Sequence, residues 1–150
     1  MIALLALHVI SAVIWVGGMA FAYLVLRPSA GPLDPATRLA LWRRVFRLFF
    51  RWVWASIAGL LVSGYGMILI YLGGLRGVGV YVYVMQVIGI TMTLLFIYLV
   101  VSPWQQFQAA IDNGAVPKVA AALERIRLVV ATNLILGLVT VVVGATGRYW

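Results

Sequence analysis

The 150-residue sequence has no cysteine, a single histidine and three acidic residues. Without cysteine there is no disulfide, no iron–sulfur cluster and no thiolate metal site. One histidine and three acids are too few for a Ser/His/Asp triad, a paired-carboxylate hydrolase site or a multi-histidine zinc site. No Gly-rich phosphate loop or nucleotide motif occurs. Charge of either sign is scarce: 9% of residues are charged and 65% are hydrophobic, with a mean hydropathy of +1.12. That balance excludes a soluble domain of this size and predicts an integral membrane protein.

What is present is long apolar stretches. The expected architecture is all-α, one four-span membrane domain over residues 1–150, folded as an antiparallel four-helix bundle. The spans fall at roughly 2–26, 53–72, 80–101 and 128–147, with amphipathic helical lead-ins at roughly 35–52 and 117–127. The first stretch has no basic leader and no small-x-small cleavage site. Its apolar run is also too long for a signal peptide, so it reads as a retained span. Asp34 before Pro35 predicts a helix start, with an N-cap acceptor and a proline at the first helical position. The lead-in at 35–52 is expected to run unbroken into the second span. GGLRGVG (73–79) is a tight loop, Ser102-Pro103 a bend or end, and 104–118 a polar stretch with an Asn113-Gly114 turn before Pro117 opens another helix.

The net charge of +8 follows membrane orientation rather than a nucleic-acid partner. Nine of the eleven basic residues (Arg27, Arg38, Arg43, Arg44, Arg47, Arg51, Lys118, Arg125 and Arg127) flank one end of the spans, against Arg76 and Arg148 at the other. The positive-inside rule then makes both large loops cytoplasmic and both termini periplasmic, in a bacterial inner membrane. Trp42, Trp52, Trp54 and Trp104 are expected as an inner aromatic belt, and Tyr71, Tyr81, Tyr83, Tyr149 and Trp150 as an outer one. The face formed by Arg43, Arg44, Arg47 and Arg51 reads as an anchor for anionic lipid headgroups.

Helical periodicity predicts which faces meet. They are His8, Ser11, Ala12, Trp15, Gly18, Met19 and Ala22 on the first span, and Ser56, Gly59, Ser63, Gly66 and Met67 on the second. The third contributes Met85, Gln86, Gly89, Met92, Thr93 and Phe96, and the fourth Asn133, Gly137, Thr140, Gly144 and Gly147. His8 lies about 10 Å inside its span. An ionisable group at that depth is a functional candidate by default. Met67 and Met85 fall in roughly the same layer. Imidazole with thioether suits soft Cu(I), with His8, Met67, Met85 and Met92 as the candidate metal ligands. The same imidazole suits haem iron, its second axial position being methionine, water, empty or supplied by a partner. The bland reading is that His8 hydrogen-bonds a facing Ser, Thr or carbonyl and the methionines fill gaps. Trp15, Gln86 and Asn133 are the further candidates for lining a cofactor; the two amides otherwise bridge helices.

These residues resemble a family. LHVISAVIWVGGMAFAYLVLRP (7–28), RLFFRWVW (47–54), SGYGM (63–67) and ERIRLVVATNLILGLV (124–139) are similar to CopD-type copper-resistance membrane proteins in their short four-helix form. The resemblance implies copper handling at the periplasmic side of the inner membrane, as transport or resistance. More distantly, the chain is similar to HemJ-type protoporphyrinogen oxidases, four-helix proteins with an intramembrane histidine and haem b. Those carry a lysine early in the third helix, where YVYVMQVIG (81–89) has Gln86. His8 is the ligand position that carries over from either relative. Three expectations follow: a Cu(I)-handling protein using His8 and methionine; a haem b cytochrome or oxidoreductase, the one case in which the chain is an enzyme; and a cofactor-free structural or assembly subunit. A periplasmic metal donor and a second copy of the chain are the protein partners these readings leave open.

Overall fold

The computed structural model describes residues 1–71 and 73–149, so the expected span end at Leu72 and the belt residue Trp150 lie outside the described residues. The described chain is helical, with no strand. We label the helices α1 (Ile2–Ser29), α2 (Pro35–Tyr71), α3 (Val80–Val101), α4 (Pro103–Asp112) and α5 (Val116–Thr146). Four stretches are long and apolar enough to cross a membrane, the third being α3 continued into α4.

Local chemistry sets most of the boundaries. Asp34 Oδ1 accepts hydrogen bonds from the backbone N–H groups of Ala36 (3.1 Å) and Thr37 (3.0 Å), and Pro35 occupies the first position of α2. The Thr37 hydroxyl, and then these amides, hold the Asp34 carboxyl below the usual carboxylate range. From there α2 runs unbroken for 37 residues, about 55 Å at 1.5 Å per residue. Pro103 stops α3, because it brings no N–H and its predecessor Ser102 leaves helical geometry at φ −120°. α4 ends in a Schellman arrangement: Gly114 takes φ +64°, its N–H bonds the Ile111 carbonyl, and the Ala115 N–H bonds that of Ala110. Only glycine adopts that conformation cheaply, which explains Asn113-Gly114. α4 departs from the expected polar stretch. Trp104, Phe107 and Ala110, at threefold spacing, bury one face of a regular helix.

The helices pack as two antiparallel pairs. α1 lies on α2, with Leu4 over Gly66, His8 over Gly64, Ser11 over Gly59 and Phe49 over Gly18. α3 lies on α5, with Tyr81 over Gly147, Met85 over Gly144 and Met92 over Gly137. Each of these glycines admits a side chain that a β-carbon would crowd, the close approach that membrane helices use in place of hydrophobic drive. Of the Gly17-Gly18 pair only Gly18 packs; Gly17 faces open space. Val16 over Gly137 and the Trp15–Phe96 edge contact (6.3 Å between ring centroids) join the two pairs at mid-length.

One end of the molecule carries both termini and the 73–79 loop; the other carries the arginine-rich loops. Buried side chains concentrate toward this basic end. Trp42, Phe46 and Phe50 stack along α2, and Trp104 and Phe107 from α4 meet them edge-on. Trp42 and Trp104 are therefore core residues at 5% and 8% exposure, whereas Trp52 and Trp54 are exposed as a belt requires. Belt and core tryptophans share one hydropathy, so periodicity alone did not separate them. Because α2, at about 55 Å, exceeds the roughly 30 Å hydrocarbon thickness by about 25 Å, nearly half its length, the Trp42 end of this aromatic base reaches the membrane surface. Arg43 clamps it, with Nη1 at 2.9 Å and Nη2 at 3.3 Å from the two Asp112 carboxylate oxygens. The pair is half exposed, so its contribution is at most about 1 kcal/mol.

Candidate functional site

α1 is not a uniform helix. Two widened turns with i→i+5 bonding, Val13–Gly17 and Ala22–Leu26, interrupt it below His8. Such turns shift the facing of all that follows and recur at functional sites. Above the first of them, His8 and Ser11 face α2; within and beyond it, Trp15, Val16 and Met19 are buried among the other helices.

His8 is half-buried, its ring seated on Gly64, where an added β-carbon would stand 3.3 Å from Cε1. Its Nδ1 lies 3.0 Å from Ser63 Oγ. Ser63 is fully buried and donates its hydroxyl proton to the Gly59 carbonyl one turn back (2.5 Å). A hydroxyl has one proton to give. With that proton on Gly59, the Ser63 oxygen is left to accept from Nδ1–H, and the Leu60 backbone offers the ring a further hydrogen bond. In metal-binding histidines one nitrogen likewise donates to a fixed acceptor while the other coordinates. The bland expectation, a histidine hydrogen-bonded to a facing serine, threonine or carbonyl, is matched by Ser63 and by the Leu60 backbone.

The other candidates separate. Met67 lies one turn, about 6 Å, along α2 from Ser63 on the same face. Met85 and Met92 face α5 at Gly144 and Gly137, two turns apart along α3. Asn133, 2% exposed, donates from Nδ2 to the Met92 carbonyl at 3.2 Å, while its Oδ1 has no partner among the described residues. Gln86 Nε2 donates to the Tyr65 hydroxyl at 2.8 Å, tying α3 to α2. Trp15 is packed on Phe96. The structure thus brings together His8 with Ser63 and Met92 with Asn133, and places Gln86 and Trp15 in helix contacts. Ser63 was legible as an inward-facing residue of α2, and Tyr65 gave no signal. No group of three or more His, Cys, Asp or Glu stands close enough to hold a metal among the described residues.

A protein-family model described as "Copper resistance protein D" matches residues 43–146. The match takes in most of α2 and all of α3, α4 and α5. It begins after His8 and the whole of α1. No curated protein and no solved structure matches the chain.

Proposed function

Because the chain belongs to the copper resistance protein D family, as a multi-pass membrane protein, we propose that it takes up Cu(I) as cargo at His8. The single observation that carries this reading is the Nδ1 hydrogen bond to a serine whose own proton is committed to Gly59. In this reading that bond orients the ring, and Nε2 is the coordinating nitrogen. The donor chemistry fits Cu(I), which takes soft ligands in low coordination numbers, and Met67 is the nearest thioether along the helix face that carries Ser63. Met85 and then Met92, about 10 Å further along α3, are proposed as successive stations toward the basic end. Asn133, whose Nδ2 bonds the Met92 backbone carbonyl, lies beside the second of them.

The orientation belonging to this reading places both termini and His8 on the periplasmic side of a bacterial inner membrane, with the arginine-rich base in the cytoplasm. Its support is the charge asymmetry of the loops. Copper then reaches His8 from a periplasmic donor and moves inward. Copper titration of the detergent-purified protein against a competing Cu(I) chelator tests the proposal. Wild type is expected to hold Cu(I) and His8→Ala to lose it; equal affinity in the two overturns the reading. An absorption spectrum of the same sample separates the haem alternative, which requires a Soret band that disappears with His8.

A further inference from the structure

At the basic end, outside the aromatic base, lies a cleft of about 450 Å³ between the start of α2, the end of α1 and the first turns of α5. Arg27, Arg38 and Arg127 line it, with Glu124 as its one acid and Trp42 and Leu123 as an apolar floor. The three guanidinium groups lie near enough for Arg27 and Arg38 to repel Arg127. Arg38 is held by the Gly31 carbonyl (3.2 Å) and Arg27 stands over the Tyr23 ring (5.1 Å). Arg127 Nε is buried without a hydrogen-bond partner among the described residues. Three arginines set against one acid, one of them with an unpartnered buried N–H, are unfavourable unless an anion completes them.

The cleft does not end at the arginines. A shallow apolar crevice of about 20 Å³ adjoins it between α1 and α5, at Tyr23, Phe46, Ile126 and Val130. Arg27 marks the depth at which the uncharged run of α1 ends, which is headgroup depth in a bilayer. A basic cleft of that size at that depth, with an apolar floor, matches the headgroup of a phospholipid. We infer that this cleft holds the headgroup of one anionic phospholipid, its phosphate between Arg27 and Arg127 and its acyl chains in the surrounding bilayer. Arginine binds phosphate through paired N–H donors, so the contact is directional. The site is distinct from the open face formed by Arg44, Arg47 and Arg51, which can attract anionic lipid only diffusely.

Native mass spectrometry of the intact protein, released from micelles holding equimolar dioleoyl-phosphatidylglycerol and dioleoyl-phosphatidylcholine, tests this. Wild type is expected to retain a single phosphatidylglycerol with about ten-fold preference. The double variant Arg27→Gln/Arg127→Gln should bring that preference near unity, and Arg44→Gln/Arg47→Gln should leave it unchanged. Equal loss in both double variants means diffuse attraction and overturns the site. Glu124→Gln removes the opposing charge and should raise retention several-fold. It decides the matter if the double variant does not fold, since no rise overturns the assignment. Inorganic phosphate at millimolar concentration should neither displace the lipid nor match its protection against thermal unfolding; if it does both, the cleft takes free anion and the lipid assignment falls.

Discussion

At the scale of the residue, the proposed chemistry turns on one proton. Ser63 is neutral and makes no metal contact in the proposal, yet it decides which nitrogen of His8 coordinates. Replacing Ser63 by Ala should weaken Cu(I) binding by about 10- to 100-fold, as loss of an outer-shell partner does elsewhere, while Ser63→Thr retains it. Chelator competition measures both, and no change in Ser63→Ala would show that the hydrogen bond does not orient the ligand. Asp34 offers a second test. Its carboxyl is held below the usual range by Thr37, so the cap stabilises α2 at neutral pH and is lost as acid protonates it. Asp34→Ala should therefore unfold at lower temperature than wild type at pH 7. The gap should close as pH falls through the carboxylate range and below; a gap that widens on acidification contradicts the cap. His8 was legible in the sequence because a lone imidazole in an apolar run stands out. Its pairing with Ser63 was not legible, since it depends on the register between two helices that brings residues 55 apart in sequence together. Nor did the sequence reveal the tautomer, which rests on where a third residue, Gly59, places its carbonyl.

At the scale of the element, starts and stops were readable wherever backbone chemistry dictates them. Asp34-Pro35, Ser102-Pro103 and Asn113-Gly114 act through capping, a missing N–H and a left-handed turn, and these are local effects. What escaped was tertiary. α4 looked like a polar connection because its buried stripe is short, and of the two widened turns of α1 the first ends at Gly17-Gly18 while the second, Ala22–Leu26, has no glycine or proline to announce it. Trp42 and Trp104 carry the composition of interfacial anchors and the burial of a core. Phe107, fully buried against Phe46 and Trp104, tests how much the base matters. Phe107→Ala should cost about 3–5 kcal/mol of unfolding free energy, measured by denaturant titration in micelles, while leaving Cu(I) affinity at the far end unchanged. A loss under 1 kcal/mol, on the order of a surface change, would mean that α4 is not held by this packing.

At the scale of the whole molecule, the absence of native cysteine makes sidedness directly measurable. In intact cells a membrane-impermeant maleimide should label Arg76→Cys, and should reach Leu33→Cys only after permeabilisation. The reverse pattern would invert the proposed path of copper. The pairing of α1 with α2 and of α3 with α5 also bears on how the protein is made. Each pair is a hairpin contiguous in sequence, apart from the short α4 between α3 and α5, so the first half can close on itself while the second is still being synthesised. His8, Ser63, Gly59 and Met67 all belong to that first hairpin. The pairing of His8 with Ser63 is thus formed locally, and the later hairpin supplies the other proposed copper contacts, Met85 and Met92, with Asn133.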